Sequence, residues 1–135
     1  MKELLEMIEA VDPSDTAKLD EIDARVWVFL DKKKRRIIAG KIEQFISDDG
    51  YGFEAGWYGV SGSFCLKYTR SRDALKAIRP NGWQWYASAN RGMVTFVFHK
   101  GLHANPEAHG ADLPTEELAE LHAIIQAISY ERQNA

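Results

Sequence analysis

The chain reads as an α+β domain, an antiparallel β-sheet packed by helices. Three observations predict it. Apolar residues recur at helical spacing near both ends, they alternate at period two in between, and short turn signals rather than long linkers separate the segments. The expected helices are two N-terminal, one short middle and one C-terminal. With 135 residues, 45% of them hydrophobic and 27% charged, residues 1–135 suit a single domain with its own core. No apolar run approaches the roughly 20 residues of a membrane span, so no membrane is expected among its partners. Its single cysteine cannot close an internal disulfide, which points to a reducing, cytoplasmic setting. Acidic residues interrupt the apolar positions of the first helix, unlike a signal or transit peptide.

Leu4, Leu5, Ile8 and Val11 share one helical face. Asp12 and Pro13 predict the stop of that helix and the cap and first position of a second, whose stripe is Leu19, Ile22, Val26, Phe29 and Leu30. A basic run follows, Lys32, Lys33, Lys34, Arg35 and Arg36. From there Ile37-Ile38 and residues 41–47 are strand-like, and Gly50, Gly52, Gly56, Gly59 and Gly62 punctuate hairpins or a loop. Phe64, Leu66 and Tyr68 alternate as in a half-buried strand. Ser71 is placed to cap a short helix from Arg72 to Ile78, which Pro80-Asn81-Gly82 ends. Trp83, Trp85, Ala87 and Ala89 predict one strand face, Asn90-Arg91-Gly92 a turn, and Val94, Phe96 and Phe98 the returning strand. Residues 100–113 show no periodicity and are expected to form a long loop. Thr115 then caps a last helix with Leu118, Leu121, Ile125 and Ile128 as its buried stripe and His122 half-exposed.

Charge is segregated. The net −3 divides into −6 for residues 1–23, +8 for 24–104 and −5 for 105–135, which predicts one cationic surface between acidic ends. Catalytic constellations find little support. His99, His103 and His109 lack the helix that would align them on zinc, and no second cysteine completes a set. Cys65 has no base placed beside it by sequence. Gly50-Tyr51-Gly52-Phe53 matches the centre of an RNA-stacking strand motif, but Asp49 and Glu54 stand where a cation and an apolar residue belong. No catalytic residue, cofactor or metal ligand is therefore assigned.

The segment Tyr68-Thr69-Arg70-Ser71-Arg72-Asp73-Ala74-Leu75, followed by Pro80-Asn81-Gly82-Trp83-Gln84-Trp85, resembles small phage and prophage proteins of the phage ABA sandwich kind. A hairpin follows, then Leu113-Pro114-Thr115 opening a Leu- and Ala-rich helix, with Pro and Thr transposed relative to the family pattern. The likeness covers about half the chain and leaves out residues 31–62. It implies a bacteriophage origin and a sheet packed by helices, with Trp83 and Trp85 filling the core. It transfers no catalytic residues.

The expected function is that of a non-enzymatic phage accessory protein. It would bind a host or defence macromolecule in the host bacterial cytoplasm, in the manner of anti-CRISPR antagonists. One alternative is a sponge for a nucleotide signal, with Arg70, Arg72, Arg79 and Arg91 on phosphates and Trp57 or Tyr58 stacked on a base. Another is nucleic-acid binding through the basic run Lys32–Arg36. A homodimer is expected to cover spare strand edges and aromatics.

Overall fold

The computed structural model describes residues 1–30, 35–39, 42–46, 52–54, 67–101 and 106–134, the three segments between 35 and 54 by their backbone alone. The fold is α+β. Helices α1 (Lys2–Ala10) and α2 (Thr16–Leu30) open it, and strands β1 (Arg35–Ala39), β2 (Ile42–Ile46) and β3 (Gly52–Glu54) follow. Helix α3 (Arg72–Lys76), strands β4 (Trp83–Asn90), β5 (Met93–Lys100) and β6 (Glu107–His109), and helix α4 (Glu116–Gln133) complete it. The strands form two antiparallel sheets, ordered β1-β2-β3 and β4-β5-β6.

Local chemistry explains the element boundaries. Thr115 and Ser71 cap α4 and α3 as expected, their hydroxyls accepting from Leu118 N and Ala74 N, each at 3.2 Å. The start of α2 differs from the expected one. Asp12 folds into a local turn by accepting from Ser14 N and Oγ, and Asp15 caps the helix by accepting from Lys18 N at 3.2 Å. Short polar side chains at both positions compete for the same role, and the one directly before the helix wins. Arg91 and Gly92 make the turn between β4 and β5, with φ of 54° and 79°. Two positive φ values define a type I′ turn, whose twist matches that of the strands.

Residues 100–113 do not run as a featureless loop. β6 pairs Phe98 with Ala108, and Val94 and Leu113 exchange hydrogen bonds at 2.7 and 2.9 Å. Tyr68, expected on a strand, lies in a turn and is buried; Phe64 and Leu66 fall outside the described residues.

Helix α4 is the centre of the core. It lies on β5 and β6, and α1 and α3 pack against it in turn. Its buried residues include Leu118, Glu120, His122, Ile124 and Ala127, which point in all directions around the helix. A helix enclosed on every side has no single apolar stripe. This overturns the reading of His122 as half-exposed: it is 6% exposed. Gly110 permits the close approach of β5 and α4. A Cβ there would lie 2.9 Å from the Phe96 carbonyl oxygen and 3.2 Å from that of Ala119.

Candidate functional site

The β4–β5 hairpin has two faces. Register places Trp83, Trp85, Phe96 and Phe98 on the face toward α4, and Gln84, Tyr86, Ser88, Met93, Thr95 and His99 on the other. On that outer face Tyr86 is 51% exposed and Met93 37%. Val97 is buried there, with Tyr86 and His109 as its neighbours in register. Tyr86 and His99 are in ring contact at 6.1 Å.

The inner face corrects one expectation. Trp83 is buried and its indole N–H donates to Glu131 at 2.6 Å, but Trp85 is 40% exposed. α4 covers β5 and β6, and β4 is the outer strand among the described ones, so Trp85 lies beyond the helix. Two guanidiniums cover it instead, Arg79 at 5.0 Å and Arg72 at 5.6 Å from its ring. Both are held by Glu120, which is fully buried. Its carboxylate accepts from Arg72 Nε at 2.6 Å, and from Arg79 Nε and Nη2 at 2.7 and 3.1 Å. Arg72 also donates to the exposed Glu116 at 2.9 Å. Two cations facing two carboxylates leave little net charge beside Trp85.

Arg70 is similarly engaged. One of its terminal nitrogens donates to Asp20 at 2.5 Å and to Asp23 at 2.6 Å, and Lys67 donates to Asp20 at 3.0 Å. Asp23 also accepts from Thr69 N at 2.9 Å, which fixes the turn at 67–70 onto α2. Burial pushes the Asp23 carboxyl above its usual value, and Arg70 and Thr69 offset this only in part. Burial raises Asp20 too, but Arg70 and Lys67 together outweigh it and hold Asp20 below its usual value.

His122 is another buried polar group that sequence reasoning missed. Its Nδ1 accepts from Ala111 N at 3.2 Å, so Nε2 carries the proton toward the Glu9 carboxylate at 3.1 Å. These contacts tie α1, α4 and the segment after β6 together; they do not form an open site. Among the described residues no three His, Cys, Asp or Glu side chains gather as metal ligands.

The candidate residues thus separate. Arg70 and Arg72 are drawn into ion pairs with α2 and α4, and Arg91 stands exposed at the hairpin tip. Arg35 and Arg36 lie on β1, opposite Ile46 and Phe45. Lys32, Lys33, Lys34, Trp57 and Tyr58 lie outside the described residues, as do Cys65 and His103. No described helix is long and apolar enough to cross a membrane.

No family model, curated protein or solved structure matches the chain. The functional reading therefore rests on the residues themselves.

Proposed function

We propose that the protein is a phage accessory protein that works by binding, docking a host or defence macromolecule on the outer face of the β4–β5 hairpin. The exposure of Tyr86 and Met93 on that one face carries the reading. Exposed apolar side chains on one face of a strand pair offer contact area to a partner, and tyrosine gives a large area at low entropic cost. The face is braced through β5, because a two-residue turn closes the hairpin and α4 packs the opposite side of that strand. A braced surface loses little entropy on association. The partner suited to it is a protein with an apolar pocket for the phenol ring.

The test is affinity capture from the host cytoplasm with the wild-type chain and with Tyr86→Ala. A stoichiometric partner that is retained by the first and lost by the second, with unchanged thermal melting, supports the reading. No partner, or one indifferent to the substitution, overturns it.

The nucleotide-signal reading is weaker. It needs cations free to meet phosphate, and Arg70, Arg72 and Arg79 are already shared among Asp20, Asp23, Glu116 and Glu120. Binding of nucleic acid by Lys32–Arg36 would appear as a mobility shift that weakens steeply with salt.

A further inference from the structure

We propose that the protein forms a two-fold dimer by pairing the free edge of β4 with the same edge of a second copy. The inference rests on this edge and not on what the hairpin's outer face binds. Among the described strands β4 is the outer one of its sheet, and its residues from Gln84 to Asn90 are all exposed. Edges of this length are normally guarded by charge, proline or a bulge. The sequence Trp83-Gln84-Trp85-Tyr86-Ala87-Ser88-Ala89-Asn90 has no charged residue and no proline, and its register with β5 runs unbroken.

The free hydrogen-bonding groups have a definite phase. Asn90 and Met93 flank a two-residue turn, and such a pair is hydrogen-bonded. Even-numbered residues of β4 therefore bond to β5, and the N–H and C=O groups of Trp85, Ala87 and Ala89 point away from the sheet. These groups need a strand lying antiparallel or parallel alongside.

The size pattern selects a second copy. Large rings occupy the first half of β4 and small residues the second. Reversing the strand puts large against small. A two-fold axis normal to the sheet keeps each face on its own side, so opposed residues must share a face. Any axis centred on a residue meets this condition; centring it on Tyr86 also sets both tryptophans opposite alanines, with the two Tyr86 side chains facing each other across the axis. Trp85 then faces Ala87 of the second copy, Trp83 faces Ala89 and Gln84 faces Ser88. Trp85 and Ala87 supply outward groups to each other, and no like charges meet. The product is a continuous six-stranded sheet that presents Tyr86 and Met93 twice about the axis.

The experiment is sedimentation velocity of the full chain from low micromolar to near-millimolar concentration. The expected species has twice the chain mass. Ala87→Pro removes an N–H that β5 does not use, and is expected to yield a folded monomer by circular dichroism. Tyr86→Cys in a Cys65→Ser background serves as a second probe. Residues facing across the axis at a non-hydrogen-bonded position have Cα atoms about 4.5 Å apart, within disulfide range. Mild oxidation is expected to crosslink this variant, at several times the rate of Ser88→Cys. A wild-type monomer at every concentration overturns the proposal, whatever other strand then pairs with the edge. So does a dimer unaffected by Ala87→Pro, or equal crosslinking of the two cysteine variants. If the proline variant fails to fold, the crosslinking comparison decides.

Discussion

Glu120 has no exposed side-chain surface, yet both carboxylate oxygens are engaged by guanidiniums from the segment around α3. Removing one partner of a buried pair leaves the others desolvated without compensation. Glu120→Gln is therefore expected to lower unfolding free energy by about 3 kcal/mol, read from urea denaturation. Glu116→Gln, on a carboxylate that is 61% exposed, is expected to cost about 0–1 kcal/mol. The aspartates on α2 respond to acid with opposite signs. Asp20 binds its proton less readily folded than unfolded, so its contribution is complete above its ordinary value of 3.8 and is lost as pH falls through the lower folded value. Asp23 binds its proton more readily folded, so acidification through its raised value stabilises the fold relative to the unfolded chain. Urea midpoints measured downward from neutral pH should show a shallower acid loss for Asp20→Asn than for wild type. Asp23→Asn should change the slope in the other direction.

At the scale of elements, what could be read from sequence was what local chemistry controls. Ser71, Thr115 and the Arg91-Gly92 turn declare their roles within four residues of chain. β6 was missed because Glu107-Ala108-His109 is too short to display alternation; its pairing with β5 depends on partners across the sheet. The roles of Glu120 and His122 were hidden for a related reason. Arg79 is 41 residues from Glu120, and Glu9 is 113 from His122, so helical spacing alone marks both as polar surface. The resemblance implied that Trp85 fills the core beside Trp83, but a shared strand face does not say how far the covering helix extends. The hairpin offers a test in Arg91, which holds a left-handed φ of 54°. Arg91→Gly is expected to stabilise by about 1 kcal/mol, since a side chain costs about that much in this conformation. Gly110→Ala should have the opposite effect, about 1–3 kcal/mol of destabilisation, because the atom a Cβ would meet at 2.9 Å is backbone and cannot swing aside. Thermal midpoints of the two variants should bracket that of wild type.

Across the molecule, α4 joins what would otherwise be separate layers. Strands β5 and β6 lie on one side of it, α1 and α3 on others, and Leu118, Leu121, Ile124 and Ile125 are almost completely buried between them. Hydrogen exchange should be slowest in α4, since its amides open only when the surrounding elements separate. Ile124→Ala should cost about 2–5 kcal/mol, at the upper end if the cavity cannot collapse between a sheet and helices.

The position of α4 along the chain also governs how the protein is made. Among the described elements it follows in sequence those it packs against, so a ribosome completes α1, α3 and the hairpin before their common support exists. Until residues 116–133 emerge from the exit tunnel, Ile8, Phe96 and Phe98 have no covering helix. The nascent chain must therefore pass through a sticky interval, and chaperone dependence during translation should end with the arrival of that helix.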